Sequence, residues 1–320
     1  MSRFASRILA GLLITGLIAT CGIGQLYAQA NTAASDTATS VTQQPVKVLE
    51  AGAEPRTPLR YSFGAEGKET AVYRLDMSMA MAGGGTPIPK MVLPTMEMAM
   101  STTPSSVDAE TGDLAYRTKI KRATVVGEGG NKLMRDSMQT SLKDLEGVEA
   151  TGQVTTRGQF KNYKQVLKAG TSKDARQIMD SVEQSMRQSV IPFPEEAVGV
   201  GAKWEAKTSV SSNGVQVQQV ATYEILERTE TTVKLRLTMK QTARSQPLAI
   251  PDAPPGVTAT MDSLTTTGTG TMSVNLASVV PALKMDTTTN AVMSANNGGQ
   301  SQTMHMTLTM SMEIKPKAKE

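Results

Sequence analysis

The chain has 320 residues and a formal net charge of +4, of which Arg3 and Arg7 supply two charges. So small an excess predicts neither a nucleic-acid surface nor a polybasic membrane-binding patch. Aromatic residues make up 3% of the sequence and methionine occurs 21 times, so the core must be built from Val, Leu, Ile and Met. One cysteine, Cys21, and one histidine, His305, leave little material for thiol, zinc-thiolate or histidine-based catalysis.

Residues 1–30 have the pattern of an export signal. A basic start precedes an interrupted apolar run, and a small-x-small cleavage site ends at Ala30. The run is too short for a comfortable membrane span, so we expect no span after cleavage. The alternatives are an uncleaved N-terminal anchor and a lipoprotein signal acylated at Cys21, for which Thr20 is a poor match. The segment therefore predicts an exported protein, periplasmic or extracellular.

Composition divides the rest of the chain into three parts. Residues 31–45 are rich in Thr, Ser, Ala and Gln, which predicts a disordered leader. Residues 46–315 alternate apolar and polar positions, which predicts a single β-rich domain. Residues 316–320 are polar and predict a solvated tail.

Period-two alternation predicts antiparallel strands along most of the domain. The clearest strands carry methionine on one face, at 70–81, 95–100 and 304–314. Further strands are predicted at 114–121, 204–211, 215–226, 231–242, 258–275 and 282–295.

One amphipathic helix is predicted at about 171–190, where Pro192 forbids its continuation. A short helical turn is predicted at 139–146. A helix with one apolar stripe needs a surface to cover, so the predicted fold class is mainly β. It is a curved antiparallel sheet or open half-barrel with the 171–190 helix packed on its concave face.

The methionine stripes have three interpretations. They line a cavity for a flexible apolar ligand, they fill a core short of aromatics, or their thioethers bind Cu(I). His305 lies between Met304 and Met306 and so points to the opposite face of a strand, which disfavours copper. We predict no metal site and no cofactor. The candidate ligand-binding residues are Met77, Met79, Met98, Ile178, Val182, Met186, Met306 and Met310.

Two proline-containing loops, at 82–94 and 243–256, are longer than hairpin loops usually are. Their apolar side chains either rim a cavity or fold back on the sheet. The candidate rim residues are Ile88, Met91, Leu93, Leu248 and Ile250.

No pattern in the sequence predicts catalysis. A Gly-x-Ser-x-Gly turn is absent, and Gly83-Gly84-Gly85 is not followed by the Lys and helix of a phosphate-binding loop. Trp204 is predicted to be a core aromatic rather than a binding residue. We therefore expect a non-enzymatic envelope protein that binds a lipid or other apolar ligand. The alternatives are a ligand-free structural module that contacts another envelope protein, and a methionine-based copper or oxidant buffer.

The passage from Phe193 to Trp204 resembles a family of uncharacterised exported bacterial proteins. It reads apolar-Pro-x-x-x-Val-x-x-Gly-x-x-Trp behind the predicted helix, and the Gly-Thr-Gly-Thr stretch at 268–271 matches a second feature of that family. The likeness covers most of residues 55–315 and implies β-rich halves but no activity. The predicted organisation is also similar, at the level of fold alone, to the periplasmic lipoprotein-carrier half-barrels, none of whose motifs is present.

Overall fold

A computed structural model describes the chain over the ranges 40–43, 45–83, 86–166, 190–212, 215–248, 257–297 and 300–317. The predicted signal segment and residues 171–189 of the predicted principal helix lie outside the described residues. At Val190, where that helix was expected to end, the chain makes a buried bend.

The described residues form one helix and seventeen strands, with the following bounds. They are β1 (Ser40–Gln43), β2 (Lys47–Glu50), β3 (Thr57–Pro58), β4 (Glu69–Gly83), β5 (Thr86–Val92), β6 (Thr95–Val107), β7 (Leu114–Val126), α1 (Lys132–Lys143), β8 (Glu149–Val154), β9 (Phe160–Val166), β10 (Ala197–Val198), β11 (Lys203–Ser212), β12 (Val215–Arg228), β13 (Thr232–Ala243), β14 (Gln246–Leu248), β15 (Val257–Asn275), β16 (Ala282–Asn297) and β17 (Gln300–Pro316). Strand β1 falls within the segment that composition predicts as a leader.

Fifteen of these strands form one sheet in the order β1-β11-β12-β13-β15-β16-β17-β4-β6-β7-β8-β9. Strands β2, β5 and β14 extend it by pairing with β11, β4 and β15, while β3 and β10 form a separate pair. All the strand pairings in the described residues are antiparallel, as the alternating pattern predicts.

Alternate residues of the long strands are buried, and we call the face that carries them the inward face. On β13, Val233, Leu235, Leu237 and Met239 are all at most 7% exposed, and the residues between them are exposed. The outward face carries Thr, Ser, Lys, Asp and Glu along the same strands. The sheet thus has one apolar and one polar face, as period-two alternation requires.

The sheet curves so far that strands distant in its order share one core. Leu114 and Tyr116 of β7 belong to the same buried cluster as Trp204 of β11 and Ile225 of β12. Strand β7 stands eight places from β11, which in a flat sheet would separate them by about 40 Å. The predicted mainly β fold with a curved antiparallel sheet is therefore confirmed.

Helix α1 differs in position from both helical predictions. It begins after Asn131, whose side chain accepts a hydrogen bond of 2.9 Å from the backbone N–H of Met134. This is an ordinary N-cap, and it starts the helix seven residues before the predicted turn at 139–146. In the described part of the chain, no helix is both long enough and apolar enough to cross a membrane.

Helix α1 covers one end of β7 where that strand has no neighbour on one side. Strand β8 pairs with β7 only as far as Lys119. Beyond it, the side-chain oxygen of Gln139 accepts a 2.8 Å hydrogen bond from the backbone N–H of Val125. Met138 and Leu142 are buried from the same helix. The helix therefore supplies a hydrogen-bond partner to the backbone of β7 where β8 no longer pairs with it, and its apolar residues cover the core beside that edge.

The two predicted loops at 82–94 and 243–256 contain strands, so that part of the prediction is wrong. Strand β5 pairs with the end of β4, and β14 pairs with the start of β15. Proline misleads here because it is tolerated on strands that have a partner on one side only. In the register of the sheet, β5 prolongs the pairing that β6 makes with β4.

A row of alternating charges crosses the outward face at right angles to the strands. Glu224 and Arg236 face each other at 2.5 Å, and Lys284 faces Glu313 at 3.3 Å. Opposite charges directly across a strand pair favour one register over a shifted one. The row comprises Lys203, Glu224, Arg236, Thr271, Lys284, Glu313, Arg74 and Glu97.

Reversing one charge in this row is expected to destabilise the fold slightly. Arg236→Glu should lower the free energy of unfolding by about 1 kcal/mol, because it places two carboxylates opposite each other. The double exchange Glu224→Arg with Arg236→Glu should restore most of that loss. Urea unfolding at low and at high salt measures both effects. An equal loss in the single and the double variant would mean that the pair does not interact.

Candidate functional site

The predicted methionines do lie on the inward face. Met77, Met79, Met98, Met306 and Met310 are each at most 8% exposed. Met77 of β4 stands directly opposite Met310 of β17 in the register. The other predicted ligand-binding residues, Ile178, Val182 and Met186, lie outside the described residues.

These methionines do not form one continuous stripe but divide between two buried clusters. Met77, Met98 and Met310 pack in the cluster that includes the buried side chains of α1. Met79 and Met306 belong to a second cluster toward the β5 end of β4. A third cluster, built around Trp204, occupies the opposite end of the inward face. The candidate site is therefore best sought where clusters meet.

Two apolar residues between the Trp204 cluster and the α1 cluster keep accessible surface although their side chains lie on the inward face. Tyr73 of β4 and Met312 of β17 are only half-buried, and both pack against the Trp204 cluster and the α1 cluster. Met312 faces Met285, which is 7% exposed and whose side-chain atoms lie where a Cβ on Gly268 or Gly270 would stand. The accessible surface at this point of the inward face therefore belongs to Tyr73 and Met312. We call these two residues the inward opening.

The polar groups beside the inward opening are neutral or hydrogen-bonded. Burial, followed by the nearby Glu69 carboxylate, raises the pKa of Tyr73 to about 12, so its phenol keeps its proton at neutral pH. Glu69 itself accepts a 2.6 Å hydrogen bond from the hydroxyl of Ser278.

A row of four polar side chains crosses the inward face between the apolar rows. The register places Gln219 opposite Gln241, Gln241 opposite Thr266, and Thr266 opposite Thr289. They are 8%, 1%, 0% and 2% exposed, respectively. We call these four residues the polar row. The inward residues around it are mainly Val, Leu, Ala and Met, and an unpaired polar atom among them is costly.

Hydrogen bonds within the polar row leave one atom without a partner. The amide N–H of Gln241 donates to the side-chain oxygen of Gln219 at 2.6 Å, and the hydroxyls of Thr266 and Thr289 are 2.9 Å apart. The side-chain oxygen of Gln241 is buried and accepts no hydrogen bond. Buried polar atoms are nearly always paired, so this exception requires a reason.

Sequence reasoning missed the polar row although a signal for it exists. The apolar series of β13 at Val233, Leu235, Leu237 and Met239 continues with the same period to Gln241. The β12 series at Val215 and Val217 continues to Gln219. A polar residue at the next inward position of two neighbouring strands is an exception that alternation alone can detect.

Four of the predicted rim residues pack in or against the buried clusters of the sheet. Leu93 and Leu248 are 9% and 6% exposed, in the α1 cluster and the β5-end cluster respectively. Ile88 and Met91 of β5 are half-buried and pack against the β5-end cluster. Ile250 lies outside the described residues. Ile88, Met91 and Leu248 lie on strands that are hydrogen-bonded to the sheet.

Trp204 closes one end of the core, as predicted for a core aromatic. It is 0% exposed, stacks on Tyr223 with ring centroids 5.5 Å apart, and meets Phe193 edge-on at 6.4 Å. Its indole N–H donates to the carbonyl of Pro192 at 2.9 Å. The passage from Phe193 to Trp204 thus builds the fold at this end.

The copper interpretation gains no geometric support on β17. His305 is exposed on the outward face, between the buried Met304 and Met306. Among the described residues, no three His, Cys, Asp or Glu side chains stand close enough to hold a metal ion together.

The chain is similar to a family of unknown function and, distantly, to solved structures. No curated protein matches the sequence. The structure is similar to the outer membrane protease OmpT from Escherichia coli, with 8% identity, coverage of 83% of this chain and 99% of that chain, and a TM-score of 0.21. It is also similar to OpdQ from Pseudomonas aeruginosa, with 7% identity, coverage of 79% and 98%, and a TM-score of 0.22. The profile of DUF6263, a family of unknown function, matches residues 129–281, so over that range the chain is similar to an uncharacterised family.

Proposed function

We propose that this chain is a non-enzymatic, exported cell-envelope protein that holds a lipid or other apolar ligand against its inward face. The observation that carries the proposal is the inward opening, where Tyr73 and Met312 keep accessible surface between two buried clusters. An apolar ligand that covers such surface gains about 25 cal/mol for each Å² removed from water. Methionine suits this role because its unbranched side chain adapts to ligands of irregular shape.

Export supports an apolar ligand as the cargo or partner. The basic start, apolar run and Ala30 cleavage site in residues 1–30 direct the chain to the periplasm or the exterior. Lipids that leave a membrane in those compartments need a protein surface that shields them from water. A curved sheet with one apolar face provides such a surface.

The alternative is a ligand-free structural module that contacts another envelope protein. The tight burial of Met261 and Met293, at 0% and 1% exposure, favours it, because these side chains have no surface left to offer. Under this alternative the inward face is a solid core throughout, and the accessible surface at Met312 is a packing irregularity. Binding of a small apolar probe separates the two functions.

Filling the inward opening is expected to weaken binding of an apolar probe. The neutral dye N-phenyl-1-naphthylamine should bind the wild-type protein saturably, with a rise in its fluorescence. Met312→Trp should weaken that binding at least tenfold, because the larger ring occupies the space that the dye needs. Fluorescence titration with equal concentrations of folded protein measures both affinities.

The matched control is Ser311→Trp, which adds the same ring on the outward face of the same strand. It should leave dye binding unchanged, while circular dichroism shows that both variants keep the sheet. If the wild-type protein does not bind the dye, the ligand-free module is the better function. If Met312→Trp and Ser311→Trp bind it like the wild type, the ligand site is not at the inward opening.

A further inference from the structure

We infer that the polar row recognises the neutral hydroxyl head group of the ligand. This inference rests on the proposed function and names the class of ligand: a long-chain alcohol or a neutral lipid with a free hydroxyl. The observation behind it is the side-chain oxygen of Gln241, which is buried and without a hydrogen bond in a residue that is 1% exposed.

The polar row offers both an acceptor and a donor, and a hydroxyl group can pair with each. The free oxygen of Gln241 needs a donor, which a hydroxyl supplies. In the pair formed by Thr266 and Thr289, one hydroxyl donates to the other, and the second keeps a proton for a further acceptor. A hydroxyl accepts as well as donates. The O and N positions of the two glutamine amides can be exchanged with each other, and Gln241 then has a free N–H instead of a free oxygen. A hydroxyl suits that arrangement too, because its oxygen accepts from the N–H.

The composition of the row favours a neutral head over a charged one. Its four side chains carry no formal charge, and a buried carboxylate or ammonium without a partner is far costlier than a buried hydroxyl. The inward carboxylate of Glu69 lies ten residues along β4 from Met79, the β4 residue level with the row. That distance is about 30 Å along the strand, too far for Glu69 to neutralise a cationic head at the row.

The surroundings of the row suit an alkyl chain. The inward rows on both sides are mainly apolar, with Leu264 and Met306 on one side and Met239 and Met310 on the other. Leu308 continues the polar row onto β17, and Met312 of the inward opening follows four residues later. This is about 13 Å along the strand, a length that a medium alkyl chain spans. The head would thus lie at Gln241 and the chain would run toward the opening.

The test compares two ligands that differ only in the head group. Dodecan-1-ol carries a hydroxyl, and 1-fluorododecane carries a fluorine of similar size that donates no hydrogen bond. In displacement of N-phenyl-1-naphthylamine, the wild-type protein should prefer the alcohol by about tenfold, the worth of one hydrogen bond to a buried acceptor. Gln219→Met with Gln241→Met should lose the preference for the alcohol, because the row then offers no amide and the hydroxyl is buried without a partner.

The control variant is Gln218→Met, which makes the same change on the exposed face of β12 and should keep the preference for the alcohol. A second measurement does not depend on the folding of a variant. The Gln side-chain N–H₂ resonances of ¹⁵N-labelled wild-type protein should shift with dodecan-1-ol and stay in place with 1-fluorododecane.

The outcomes separate this inference from the proposed function. If the wild-type protein binds the two ligands equally, the apolar-ligand function stands and the hydroxyl inference is wrong. If the double variant keeps the preference, the hydroxyl is recognised elsewhere and the polar row is not the site. If neither ligand displaces the dye and the dye itself does not bind, the proposed function fails first.

Discussion

Replacement of Trp204 by alanine is expected to lower the free energy of unfolding by about 3–5 kcal/mol. The ring is fully buried between Tyr223 and Phe193, and its removal leaves a cavity between two strands of the sheet and the segment that covers them. The carbonyl of Pro192 also loses the indole N–H that donates to it at 2.9 Å. Urea unfolding followed by far-ultraviolet circular dichroism measures the loss.

Two variants show which part of the Trp204 contact matters. Trp204→Phe keeps an aromatic ring in the stack but not the donor, so it should cost about 1–3 kcal/mol. Leu133→Ala removes an apolar side chain that is 79% exposed, so it should cost almost nothing. All folded variants should bind N-phenyl-1-naphthylamine like the wild type. A Trp204→Ala protein of normal stability that has lost dye binding would instead make Trp204 a ligand contact.

The strands of this fold follow from the sequence because burial on one face imposes a period of two. Met77 to Met81 and Val233 to Met239 repeat apolar residues at every second position, and the structure places each series on the inward face. The same rule predicts the mainly β class and the antiparallel pairing. It contains no information about which distant strands meet, so the contact of β7 with the β11 and β12 region appears only in three dimensions.

The polar row shows where alternation becomes ambiguous. Counting back from Met272 by twos places Thr266 on the inward face, while counting forward from Met261 places it on the outward face. An irregularity in the register between Met261 and Ser263 resolves the conflict, because one extra residue moves the series by one position. Such bulges depend on the partner strand, and a single sequence does not reveal them.

Helix α1 shows a different limit. In the sequence, Asn131 is equally consistent with the end of a turn and with an N-cap. The glycines between 127 and 130 favour the turn. In the structure, the side chain of Asn131 caps the helix, and Met138 and Leu142 of the same helix are buried. Local preference is weak compared with such packing.

The passage from Phe193 to Trp204 is expected to be intolerant of a single added methyl group at Gly199. Two backbone segments cross there: the N–H of Gly199 donates to Ala51 at 2.9 Å, and the N–H of Ala53 donates to Val200 at 2.8 Å. A methyl group on Gly199 would overlap the carbonyl oxygen of Ala53, and a backbone oxygen cannot rotate away as a side chain can. Gly199→Ala should therefore separate the segments and lower the free energy of unfolding by about 3 kcal/mol.

The control for Gly199→Ala is Gly64→Ala, since a methyl group on Gly64 would meet no atom within 4 Å. That variant should stay within about 1 kcal/mol of the wild type, and a small gain is expected because alanine restricts the unfolded chain. Urea unfolding of both variants makes the comparison. Equal stability of the two would show that the 51–55 and 199–202 segments separate at little cost. The glycine in this passage would then be retained for a reason other than packing, and a ligand or partner contact at this end would become the better explanation.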